Sequence, residues 1–268
     1  MITLKDYLTQ MRSEGIRSFT IQKAAQDLGI TENNARAKCK RLKDKGELLS
    51  PVRGLYVIIP PEDHKMGSPP PEELIPLVMA YWGIKYYVCL LSAALYHGAS
   101  HQKSQVFQVM LERREGEMRA GKIRIQFVYK KSLEGLPLQQ VTAKTGYLTL
   151  ATPELTVVDL LLYPHLCGGL NHIATILTEL IEAVDPDKLI DLATHTKQKV
   201  WVQRLGYILE QIDSYNEEAK ARVLTKLEAF IKDKALSYIP LTPEIPIQGY
   251  SRDRKWKIIA NTTIEADE

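Results

Sequence analysis

"TENNARAKCKRLKDKGELLSPVRGLYVI", Thr31 to Ile58, is the stretch whose reading decides the fold of the amino-terminal part. Thr31 is a small polar residue of the kind that caps a helix, and the residues after it carry helical rather than strand periodicity. Projected at ~100° per residue, Ala35, Cys39 and Leu42 fall on one narrow stripe. Asn33, Arg36, Ala37 and Lys40 fall opposite, with Arg41 beside them and Asn34 and Lys38 towards the inner edge. Gly46 then stops the helix. Two short apolar runs follow, Leu48–Leu49 and Leu55 to Ile59, joined by a turn from Pro51 to Gly54. That pattern predicts a two-stranded wing with Arg53 at its tip, and Gly54 supplies the positive φ a tight turn demands.

Upstream of Thr31 the chain predicts two more helices. Thr3 caps one running to about Arg12, with Leu4, Tyr7, Leu8 and Met11 on a single face. A second begins near Thr20, "TIQKAAQDL", and Gly29 ends it. A helix, a glycine turn and a freshly capped helix form the helix-turn-helix pattern. Neither helix is long enough to stand alone, so they need a common core. Ala24, Leu28, Ile30, Ala35, Cys39 and Leu42 would provide it.

The charge is concentrated in this module. The 268 residues carry a net charge of only +3. Residues 1–59 hold eleven Lys and Arg against six Asp and Glu, while the rest of the chain is slightly acidic. A local cationic face on a helix-turn-helix points to double-stranded DNA. Asn33, Asn34, Arg36 and Lys40 are the candidates for base edges, because Arg and Lys donate to guanine and Asn pairs with adenine in the major groove. Thr20, Lys38, Arg41 and Arg53 are the candidates for phosphate. The competing reading is a solvated amphipathic helix.

Residues 60–73, "PPEDHKMGSPPPEE", contain five prolines and no apolar periodicity. They read as an exposed, stiff linker between a domain at 1–59 and a second at 74–268. In that second domain "ELIPLVMAYWG" and "YYVCLLSAALYHGAS" read as apolar helices. Short β-rich runs follow ("SQVFQVML", "KIRIQFVYK", "LQQVTAKTG", "YLTLA"), and then a helical half opened by Thr152 and Pro153. The expected fold class is α+β: a winged helix-turn-helix followed by a larger mixed domain whose carboxyl-terminal half is mostly helical.

Other chemistry is sparsely encoded. Three widely spaced cysteines, Cys39, Cys89 and Cys167, read as reduced thiols of a cytosolic protein. No run approaches ~18 apolar residues, so no membrane partner is expected. His97 and His101 lie four apart, but Gly98 intervenes and no third ligand stands at a recognised spacing. Cys167 with His165 and His172 lacks a paired C-x-x-C. No metal, cofactor or catalytic residue is therefore expected, and the chain is not read as an enzyme. Two alternatives stay open. One is a nuclease-like site using Glu112, Glu117 and Lys122; the other is a regulator that senses a small ligand. Lys197, Lys199 and Arg204 are candidates for a further nucleic-acid or toxin-neutralising surface.

Four stretches resemble the AbiEi-type antitoxins of type IV toxin–antitoxin (abortive infection) systems. They are "RGLY" in the wing, "SAALYHGAS" (92–100), "TPELTVVDLLLYP" (152–164) and "VQRLGYILEQI" (202–212). The resemblance implies a cytoplasmic transcriptional autorepressor that binds inverted repeats in its promoter. It also implies that the carboxyl-terminal domain neutralises a nucleotidyltransferase-like toxin without a stable complex.

Overall fold

The computed structural model describes residues 3–99, 106–144, 146–232 and 234–266. The chain divides into two compact units, one formed by Met1–Val88, Gln105–Gly135 and Gln140–Leu150, the other by the remaining segments. Helices and sheets are both abundant and largely segregated along the chain, an α+β protein.

The first unit begins with α1 (Leu4–Ser13), β1 (Ser18–Thr20), α2 (Ile21–Leu28), α3 (Glu32–Asp44), β2 (Leu48–Leu49) and β3 (Leu55–Ile58). Each helix starts where a threonine accepts a backbone N–H: Thr3 from Asp6, Thr20 from Lys23, Thr31 from Asn34. Asp6 returns the bond to Thr3 and closes a capping box. The strands form an antiparallel sheet ordered β1-β3-β2, with Ser18 opposite Val57 and Leu49 opposite that same valine. The expected two-stranded wing is thus three-stranded. β1 is only three residues long, too short to leave a period in the sequence.

Strand β3 serves two cores, because alternate residues of a strand face opposite ways. Ile58 and the half-buried Tyr56 join Leu8, Phe19, Ala24, Ala35 and Cys39 beneath the three helices. Leu55, Val57 and Ile59 join Leu74, Ile75, Val78, Val109, Leu111 and Ile125 on the other side. Those partners come from α4 (Pro71–Trp82) and from a six-stranded sheet. The sheet consists of β4 (Tyr86–Val88), β5 (Val106–Leu111), β6 (Met118–Ala120), β7 (Ile123–Tyr129), β8 (Leu138–Ala143) and β9 (Gly146–Ala151), ordered β6-β7-β5-β4-β9-β8.

Two expectations change here. Tyr86–Val88 is a strand, parallel to β9 and antiparallel to β5, rather than the start of a helix. Its side chains are apolar on both faces because the strand lies mid-sheet, and such a run has no helical or strand signature of its own. The proline-rich stretch is also not free of the domain. Ser68 and Pro69 are buried, α4 starts within it at Pro71, and the Met66 carbonyl accepts the N–H of Lys122 at 2.9 Å.

The second unit contains α5 (Leu90–Tyr96), α6 (Pro153–Leu162), α7 (Leu170–Leu180), α8 (Pro186–His195), α9 (Val200–Gln211) and α10 (Glu217–Lys232). Thr152 and Asp185 cap α6 and α8. Every residue of α6 from Glu154 to Leu161 is buried, so it is the central helix. The tail adds a small sheet, β10 (Ile239–Pro240), β11 (Arg252–Asp253) and β12 (Ile258–Ile259), in the order β10-β12-β11.

Candidate nucleic-acid interface

The turn between α2 and α3 is set by Gly29, whose φ of 63° lies in the left-handed region. Its N–H bonds to the Gln26 carbonyl, and that of Ile30 to the Ala25 carbonyl at 3.1 Å. Ile30 therefore turns into the core and Thr31 restarts the chain as α3. Ala35 and Cys39 are fully buried on its inner face. Burial pushes the Cys39 thiol up to about 11, so it is a packing group rather than a nucleophile.

The opposite face of α3 is open. Asn33, Asn34, Arg36, Ala37, Lys40 and Arg41 are exposed and Lys38 is half-buried. Arg36 is held by Glu32, one turn back, through a 2.9 Å ion pair between two exposed side chains. That carboxylate is a feature the sequence reading passed over, although an acidic residue four before an arginine is its usual signal. Thr20 is half-buried, and its hydroxyl oxygen accepts the Lys23 N–H at 3.2 Å.

At the wing tip Arg53 is exposed. The turn beneath it closes with the Leu55 N–H on the Val52 carbonyl at 3.3 Å, and Gly54 has φ 94°. Tyr81, from the last turn of α4, donates its hydroxyl to the Arg53 carbonyl at 3.1 Å. Glycine is required here for φ, and a β-carbon on Gly54 would stand 2.4 Å from that hydroxyl and displace it from the Arg53 carbonyl. Nothing local in the sequence joins residues 53 and 81; only the packing of β3 against α4 brings them together.

The second-unit candidates do not form a shared surface. Lys197 is exposed, but Lys199 turns its ammonium onto the carbonyls of Ala193, Thr194 and Thr196, at the end of α8. Burial lowers its pKa. Arg204 is a correction. It is buried, its Nη atoms reach the carbonyls of Leu161 and Pro240 at 3.5 and 3.4 Å, and its Nε has no partner among the described residues. Position 204 falls on the inner side of α9, between Val202 and Leu205, and cannot meet a phosphate while the unit is folded.

The residues weighed for other chemistry are engaged in structure. His97 sets Nε2 2.9 Å from the Ala151 carbonyl, and burial lowers its pKa. His101 lies outside the described residues. Burial raises Cys167 to about 12. The Glu112 carboxylate accepts the Leu133 N–H at 2.6 Å. Glu117 pairs with Arg124 and Arg119, which hold it at about 2. Among the described residues no three His, Cys, Asp or Glu side chains gather as metal ligands, and no helix is long and apolar enough to cross a membrane.

Fold and surface together define a two-unit α+β protein with a small basic module of three helices and a hairpin at its amino terminus. The crystal structure of the RV2827C protein from Mycobacterium tuberculosis is similar to it over 94% of this chain and 89% of that one. The TM-score is 0.64 at 15% identity, a likeness of fold. No curated protein matches the chain by sequence. Residues 86–211, however, match the AbiEi antitoxin C-terminal domain, so that region of the chain is an AbiEi-type domain. The match supports an antitoxin role in a toxin–antitoxin pair.

Proposed function

We propose that the chain is an antitoxin that also binds duplex DNA and represses its own operon. In this reading the amino-terminal module is a winged helix-turn-helix with α3 as its recognition helix. Asn33, Asn34, Arg36 and Lys40 meet base edges in the major groove, while Thr20, Lys38, Arg41 and Arg53 hold the sugar-phosphate backbone on either side. The observation that carries it is the division of α3. Ala35 and Cys39 are fully buried on one side, and a face rich in amides and cations, with Glu32 paired to Arg36, is open on the other. The Thr20 oxygen accepts the Lys23 N–H at the α2 cap, a bond that leaves its O–H able to donate to a phosphate.

The family match motivates the second half of the proposal, in which the region from 86 to 211 neutralises a nucleotidyltransferase-like toxin without forming a lasting complex. The test is a pair of readouts on one set of variants. In a reporter fused to the chain's own promoter, Asn33→Ala with Arg36→Ala should release repression. The same double variant should still rescue cells expressing the toxin encoded beside it. Undiminished repression would remove α3 from the DNA role, and loss of rescue in that soluble, folded variant would join the two activities that the proposal separates.

A further inference from the structure

The first unit carries a second cationic edge. Strands β5 and β7 run parallel and β4 runs antiparallel to β5, with Tyr86 opposite Leu111 and Leu111 opposite Tyr129. The start of β4 and the ends of β5 and β7 therefore share one rim. Lys85 precedes the first, Arg113 and Arg114 follow the second, and Lys130 and Lys131 follow the third. Arg113 lies 4.5 Å over the Trp82 ring and Arg114 lies 5.1 Å over that of Tyr129. Stacked in this way a guanidinium is oriented in advance, with N–H donors left in its plane for a phosphate. Of the nearby carboxylates, Glu112 is turned onto the Leu133 N–H and Glu115 onto Arg113 at 2.6 Å. Glu134 is the third, so cations remain in excess.

This rim continues the wing. Tyr81 bonds the Arg53 carbonyl and the next residue, Trp82, underlies Arg113. Consecutive Cα atoms are ~3.8 Å apart, so the last turn of α4 bridges the wing tip and the rim. We propose that the rim formed by Lys85, Arg113, Arg114 and Lys131 binds the sugar-phosphate backbone of the duplex beyond the wing, lengthening the footprint without reading sequence. This rests on the duplex-binding reading above.

The probe is a duplex of about 40 bp from the region upstream of the chain's own reading frame, bound by the full chain across a salt series. Arg114→Gln with Lys131→Gln changes two exposed side chains and should leave Tm unchanged. Its plot of log K against log salt should be shallower by about 1.8, near 0.9 per lost phosphate contact. Affinity should fall about 60-fold at 0.1 M salt, as a slope difference of about 1.8 gives for plots that meet near 1 M, and equally on a scrambled duplex. Lys188→Gln with Lys226→Gln, exposed cations of the second unit, should keep the wild-type slope. A wild-type slope in the rim variant, or an equal loss in the control pair, overturns the rim alone. So does an unchanged slope with lost toxin rescue, which would give the rim a protein partner. A wild-type chain that binds neither duplex overturns the duplex reading itself.

Discussion

Arg36 has two competing anions in this account. In the free protein its guanidinium is paired with Glu32; on a duplex it must turn to a base or phosphate. An exposed pair one turn apart is worth only ~0.3–0.5 kcal/mol, so it delays Arg36 little, but Glu32 also places a carboxylate beside the incoming phosphates. Glu32→Gln should tighten duplex binding a few-fold at low salt and lose that advantage near 1 M, measured by fluorescence anisotropy. Arg36→Ala should cost ~1–3 kcal/mol on the preferred sequence and relax preference at one base position. Gly54→Ala forces a β-carbon against the Tyr81 hydroxyl and strains a φ of 94°, so it should weaken binding as Arg53→Ala does. At this scale the sequence was a good guide to the exposed face of α3, whose positions follow from helical periodicity. It was a poor guide to Arg204, since an arginine on an apolar helix gives no sign of whether it snorkels out or is enclosed.

Between elements, short polar links fix how the first helices meet. Tyr7 in α1 donates its hydroxyl to Asp27 in α2 at 2.9 Å, and Lys23 pairs with the same carboxylate at 2.8 Å. Lys23 is the larger cause, and together they hold Asp27 below its ordinary value of 3.8. A carboxyl whose folded pKa is depressed adds stability above its unfolded pKa and loses it as pH falls through the lower folded value. The module should therefore loosen below about pH 4, read as faster amide exchange in α1 and α2, and Asp27→Asn should flatten that acid dependence. In the second unit Gly206 of α9 lets the buried Trp256 ring lie flush. A β-carbon there would stand 2.1 Å from the ring. Gly206→Ala should lower stability by about 1–3 kcal/mol in urea unfolding, the usual cost of overpacking. Helix starts at Thr3, Thr20, Thr31 and Thr152 were legible because a cap is a local signal. β1 and β4 were not, since a three-residue strand is defined by the neighbours it bonds to.

Across the molecule, β3 is the element that ties the basic module to the rest of its unit. Its Leu55 and Val57, with Ile59 just beyond, complete the core made by α4 and the six-stranded sheet. Removing residues 1–59 would bare Leu74, Ile75, Val78 and their neighbours. The truncated chain should bind a hydrophobic dye and melt well below the intact protein, a loss of several kcal/mol from three apolar side chains at ~1.5–3 kcal/mol each. Point variants on α3, rather than truncation, are therefore the clean way to separate repression from neutralisation. The sequence suggested a break after Ile59 because charge and proline content change there. The apolar run from Leu55 to Ile59 was visible, but that both its faces are covered depends on strands fifty residues downstream.

The central claim is that the open face of α3 reads a duplex groove. The most direct measurement is the ratio of affinities of the full chain for its own upstream duplex and for a scrambled one, compared with that of Arg36→Ala at the same salt. We expect a clear preference in the wild type that shrinks about tenfold or more in the variant, while the scrambled duplex is bound nearly as before. An identical ratio in both proteins would contradict the account.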